Sequence, residues 1–229
     1  MTTAKATNVY DLGTVEYQQA WAMQRDMVQQ RIDGVIDDSL LLLEHPHVYT
    51  LGRRGKMGDV LLSADELNEA GIAVHKVDRG GEVTYHGPGQ LVVYPILDLS
   101  KIGGPVHYVH SLEAALQDGL AVFGISAHVR DGLPGVWIGE GEQQRKIAAI
   151  GVRINHGVSC HGFALNISTD LTYFRHIVAC GIFDLKVTSI ERELCSPVDA
   201  VSVRKVIVSA LEIRLGLVAH WKDEQEYKA

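Results

Sequence analysis

Cysteine is scarce in this chain of 229 residues: only Cys160, Cys180 and Cys195 occur, and no two of them form a CxxC pair. An odd, dispersed set of thiols excludes a disulfide framework and matches no Cys-rich zinc spacing, so the thiols are expected to be reduced. Basic residues are also short, 21 Lys and Arg against 28 Asp and Glu, for a formal charge of −7. That balance argues against nucleic acid as the main ligand, since neutralising phosphates needs Lys and Arg in local excess. No apolar run approaches the roughly 18 residues of a membrane span, and the first thirty residues lack the apolar stretch of a signal peptide. A cytoplasmic protein with neither membrane nor nucleic-acid partner is expected. Neither GxxxxGK followed by Ser or Thr, nor GxGxxG opening a helix, is present, so no nucleotide site is indicated. No Ser/Pro-rich, charge-block or repeat segment interrupts the chain, and residues 1–229 are expected to form one domain.

What the chain does have is 46% apolar residues arranged with clear periodicity. Tyr17, Trp21, Met27, Val28 and Ile32 approximate helical spacing, with Thr14 as N-cap and Gly34 as stop. Val109, Leu112, Leu116, Leu120 and Phe123 predict a helix opening near Pro105 and ending at Gly124. A third helix follows from Val203 to Leu215, stopped by Gly216, and a short one is expected around residues 67–70. Apolar runs at residues 39–43, 48–51, 73–77 and 91–97 read as strands. Those at 127–129, 135–138, 146–154 and 159–167 read as a further set, whose meander order implies antiparallel pairing. Strands in runs flanked by helices predict an α+β layered domain.

The segment from Arg79 to Leu91 concentrates charge, aromatic and imidazole chemistry between glycines. Glycine in an extended run costs backbone entropy and packs nothing, so Gly80 and Gly81 point to close approach of backbone to another group. Gly87-Pro-Gly89 is a turn signal. The segment is either a glycine-rich hairpin or the wall of a site.

Cys180 sits in a short apolar patch with Gly181 directly after it. It is either a buried small hydrophobe or a nucleophile, and the second role needs a nearby cation to favour the thiolate. Lys146, at the start of the run Ile147 to Ile150, is the best candidate for that cation; the alternative is a solvated lysine at a strand end. His86 and His161 are rival bases or structural histidines.

Several segments together resemble the lipoyl(octanoyl) transferase family, the octanoyl-[acyl-carrier-protein]:protein N-octanoyltransferases. They are residues 43–52, 79–90, 135–138, 145–151, 161–166 and 179–182, in family order, within a match spanning about residues 10 to 215. The resemblance implies a biotin/lipoate protein ligase-like fold of mixed, largely antiparallel sheets packed with helices. It implies a two-step acyl transfer without a cofactor. An octanoyl group would leave octanoyl-acyl carrier protein for the cysteine matching Cys180. It would then pass to a lysine of a lipoyl domain of a 2-oxoacid dehydrogenase or of the glycine-cleavage H protein. Lys146 matches the lysine that lowers the cysteine's pKa. The family's acyl-contacting positions fall on Arg79, Gly80, Gly81, Glu82, Val83, Thr84, Tyr85 and His86, on Ala149, Ile150 and Gly151, and on Gly162, Phe163 and Ala164. Ala179 departs from the proline that many members carry before the cysteine.

Two rival functions belong beside that reading. An ATP-dependent lipoate or biotin ligase would not need Cys180, and a non-catalytic module could merely hold acylated carrier or lipoyl domains. The basic loop Arg53, Arg54 and Lys56 is the expected contact for acidic protein partners.

Overall fold

The computed structural model describes residues 5–183 and 185–222, without the side chains of Lys5, Lys101 and Cys180. A seven-stranded sheet runs through its centre. The strands are β1 (Lys5–Thr14), β2 (Asp38–Glu44), β6 (Gln90–Ile96), β7 (Gly135–Ile138), β8 (Arg145–Asn155), β9 (Val158–Asn166) and β10 (Leu217–Lys222), in the order β10-β1-β2-β6-β9-β8-β7. A second sheet of three strands, ordered β4-β3-β5, comprises β3 (Val48–Leu51), β4 (Ala73–Lys76) and β5 (Val83–His86).

The four-leucine run of β2 explains the layering. Successive strand side chains point to opposite faces, so an unbroken apolar run needs cover on both sides. Leu40 and Leu42 pack with Leu112 and Leu116 of α3 (Gly104–Val122) and with Ile207 and Leu211 of α5 (Ala200–Leu215). Leu41 and Leu43 pack with Ala20, Met27 and Val28 of α1 (Tyr17–Ile32). β6 repeats the pattern, Leu91 and Val93 toward α3 and α5, Val92 and Tyr94 toward α1. Two short α-helices, α2 (Ala64–Glu69) and α4 (Ile190–Leu194), join these three among the described residues; Ser63 caps the first by accepting from the Glu66 amide while the Glu66 carboxylate accepts from the Ser63 amide.

The architecture is α+β, with antiparallel pairing from β2 through β6, β9 and β8 to β7. Three pairs are parallel, β1 with β10, β1 with β2, and β3 with β4. Helix α1 is the crossover that lets β1 and β2 run parallel. Thr14 closes β1 rather than capping α1, which begins after Glu16. The expected strand at residues 127–129 is one bridge, His128 to Trp137. β5 and β6 do not form a hairpin: the turn at Gly87–Gly89 carries the chain from the small sheet to the large one. That crossing stands segment 79–86 over the face of β8 and β9. Among the described residues no helix is long and apolar enough to cross a membrane.

Candidate active site

Between segment 79–86 and the strands β8 and β9 lies a cavity of about 640 Å³, within the usual size of a small-ligand site. On β8 it runs from Lys146 past Ala149, Ile150 and Gly151 to Val152, six residue steps and so about 20 Å of strand. On β9 it is lined by His161, Gly162, Phe163 and Ala164, and opposite them by Arg79 to Thr84 and His86. Gly132, Leu133 and Pro134 line it beside Lys146; Tyr17 and Tyr94 line it beside His86.

The Arg79 end is held together by hydrogen bonds. Arg79 is only 7% exposed, and its guanidinium donates to the Thr50 carbonyl (2.6 Å), to Thr50 Oγ1 (2.8 Å) and to the Gly80 carbonyl (2.9 Å). Glycine makes room for it: a Cβ on Gly151 would fall 3.1 Å from Gly80 O and 3.2 Å from Arg79 Cδ, and one on Gly52 would fall 2.8 Å from Arg79 Nη1. The Gly80 amide donates to Val152 O at 3.0 Å, tying the segment to β8. Gly162 lines the same cavity, but its missing side chain makes room for β6, because a Cβ there would lie 2.1 Å from Val93 O.

His86 begins a directional chain. The Gln90 amide group donates to Asn166 Oδ1 (2.9 Å) and Tyr85 O (3.2 Å), which leaves its oxygen to accept from His86 Nδ1 at 2.8 Å. Asn166 Nδ2 donates to Thr188 O, and the Thr188 amide to Lys146 O, both at 2.9 Å. Burial, then the nearby His45 and Arg79, drives the His86 pKa well below the ordinary imidazole value. Burial also lowers His161, against the opposing pull of Asp78, which accepts from Nε2 at 2.7 Å. The hydrogen bond from His161 in turn holds Asp78 down at about 2. Burial thus biases both imidazoles toward the neutral form.

Lys146 differs from the solvated alternative, for it is only 4% exposed. Its ammonium donates to Pro134 O at 3.1 Å and lies 4.6 Å from the Trp137 ring centroid. The backbone at Lys146 is pinned on the edge opposite β7 by residues 186–188, through Lys146 N to Lys186 O (2.8 Å) and Thr188 N to Lys146 O. A buried amine at the end of a largely apolar slot has the chemistry of a base or of a partner for a thiolate.

A family model for the lipoyl protein ligase A/B catalytic domain matches residues 16–212. The chain belongs to this family. An octanoyltransferase of Acidobacterium capsulatum is 47% identical over 213 residues, covering 89% of this chain and 86% of that one. The fold is that of a bipartite lipoate protein ligase from Thermoplasma acidophilum, at 15% identity, a TM-score of 0.72 and coverage of 97% and 90%. It is also that of the Aquifex aeolicus biotin protein ligase, at 9% identity, a TM-score of 0.52 and coverage of 92% and 69%.

Of the described positions singled out from the octanoyltransferase-type motifs, Tyr85 alone stands apart from the cavity lining. Tyr85 faces the opposite side of β5, its hydroxyl 2.7 Å from His47 Nδ1 and its ring stacked on Tyr173 at 4.9 Å. Strand alternation explains the exception, since Thr84 and His86 take the cavity face. The side chain of Cys180 lies outside the described residues; its backbone forms a short 3₁₀ turn, Ala179–Gly181, with Ala179 packed beside Val83 and Tyr85. Of the basic loop, Arg54 reaches the cavity and pairs with Glu82 at 3.2 Å, whereas Arg53 lines a separate hollow with Asp78 and Arg153. Tyr17, Asp78 and the Gly132 to Pro134 segment escaped the sequence reading. Tyr17 looks like an ordinary apolar helix position, and nothing local marks the other residues.

Proposed function

We propose that this protein transfers an octanoyl group from octanoyl-acyl carrier protein, through an acyl-thioester on Cys180, to the lysine of lipoyl domains or of the glycine-cleavage H protein. The observation that carries the reading is Lys146, a buried amine at one end of a slot whose other walls are β8, β9 and the 79–86 segment. The 47% identity to an octanoyltransferase over most of the chain supports the same substrate.

In the first step the Cys180 thiolate attacks the octanoyl carbonyl; the new C–S bond replaces the one to the carrier, which departs as a thiol with a proton from Lys146. The neutral Lys146 amine then takes a proton from the acceptor lysine as its nitrogen attacks, the C–N bond forms and the C–S bond to Cys180 breaks. Thioester exchange is close to isoenergetic and amide formation is downhill, so ATP is not consumed. The catalytic pair is Cys180 and Lys146. Arg79 to Thr84, His86, Ala149 to Gly151 and Gly162 to Ala164 contact the acyl chain. The same reading takes residues 1–229 as one catalytic domain working in the cytoplasm.

Transfer to a purified lipoyl domain, followed by the mass gain of that domain, tests the reading. Octanoylation from octanoyl-acyl carrier protein without ATP is expected. Octanoylation only from free octanoate with ATP would support the ligase alternative instead.

A further inference from the structure

The ladder between β7 and β8 is irregular at one place, and the irregularity falls beside Lys146. Val136 pairs with Ala148 but Trp137 pairs with Lys146, so β8 carries one extra residue, Ile147, between the two pairs. A bulge of this kind re-aims the side chains next to it. In an unbroken ladder Trp137 would face Ile147, whose side chain belongs to the core beneath α3 and α5. With the bulge, Trp137 and Lys146 stand directly opposite and share a face, which places the ammonium 4.6 Å from the ring centroid. The backbone is shaped for this meeting as well. Gly135, at φ +122°, has no room for a Cβ, which would lie 2.5 Å from Ala148 O and 3.4 Å from Lys146 Cε.

Trp137 is itself immobilised. It is fully buried, its Nε1 donates to Leu133 O at 3.3 Å, and its backbone bridges His128 in both directions. The Arg130 guanidinium also lies 4.6 Å from the ring centroid. The indole therefore joins Lys146 to the segment that lines the cavity beside it, since Pro134 O accepts from the same ammonium. Trp137 does not line the cavity, so any contribution to the reaction passes through Lys146.

The geometry points to Trp137 as the positioning residue of the acyl-transfer centre, its indole face fixing the Lys146 ammonium where it can serve Cys180. The inference rests on the proposed Cys180 and Lys146 pair. Replacing a core tryptophan can unfold a protein, so the primary test leaves its shape unchanged. In a Trp21→Phe, Trp221→Phe background Trp137 is the one tryptophan left of the three in the chain. It can then be replaced biosynthetically by mono-, di- and trifluorotryptophan, which weaken the ring's negative face at nearly constant volume. The readout is the pH dependence of Cys180 alkylation, followed on the Cys180 peptide by mass spectrometry.

The profile is expected to climb stepwise with each fluorine, by about one pH unit in all, a tenfold loss of thiolate at fixed pH. Trp137→Leu should shift it about as far and Trp137→Phe should keep it near the parent. A flat response to fluorine, or equal shifts in the Phe and Leu variants, would overturn the role of the ring. Lys146→Ala separates the two levels of the account. If it moves the profile while fluorine does not, Trp137 alone is excluded; if it leaves the profile unmoved, the proposed pair and this inference fall together.

Discussion

The two ends of the cavity are both buried, yet they treat charge in opposite ways. At the Arg79 end, His86 and His161 surrender their charge to burial, and His45 behind them is lowered to about 4. Arginine does not deprotonate in proteins, so Arg79 is accommodated by carbonyl and hydroxyl acceptors supplied by Thr50 and Gly80. At the other end Lys146 has a carbonyl and an indole face. An amine placed this way can hold or release a proton at a reacting atom, whereas the far end can only shape and orient. On the proposed reading, chemistry and template are separated along one slot.

Removing the amine should give the largest effect. Lys146→Met is expected to lower octanoyl transfer roughly 10³-fold with the fold retained; transfer within tenfold of the parent would place the chemistry elsewhere. At the template end, Arg79→Met strands the Thr50 acceptors and should cost about 2 to 4 kcal/mol in urea unfolding, and an unchanged midpoint would show that the guanidinium organises nothing. Gly151→Val directs its added methyls at Gly80 O and Arg79. It should raise KM for octanoyl donors about tenfold while sparing butanoyl donors, since each lost CH₂ contact is worth about 0.8 kcal/mol; equal effects on both donors would remove Gly151 from the acyl wall. The smallest effect concerns pH. Lowered imidazoles take up protons in the unfolded chain before the folded one, so stability is full above about pH 6.5 and falls as pH drops toward 4. His86→Gln should flatten that slope, and an unaltered slope would mean that His86 titrates normally.

Much of this was legible because the relevant signals are local. The Leu40 to Leu43 run, the i, i+3 and i+4 spacing of α3 and the Gly216 stop of α5 each carry their structure in a few neighbouring residues. β1 and β10 were not, because β1 reads as a mostly polar stretch, Lys5–Thr14, and β10 is an edge strand with an exposed Trp221; both are stabilised by partners distant in sequence. From its glycines the Arg79 segment could be read as either a hairpin or a wall, but which glycine admits what could not be read. Gly151 and Gly52 make space for Arg79, and Gly162 makes space for β6. Tyr85 shows the limit of carrying a motif over whole, since β-strand alternation turns it away from its neighbours Thr84 and His86. The bulge that brings Trp137 onto Lys146 is a property of register, invisible in either strand alone.

Intact mass of the purified protein after incubation with octanoyl-acyl carrier protein, without ATP, tests the central claim most directly. The account predicts a single octanoyl adduct that hydroxylamine removes and that Cys180→Ala abolishes. An unmodified native protein, or an equal adduct on the Cys180→Ala variant, would contradict the covalent mechanism.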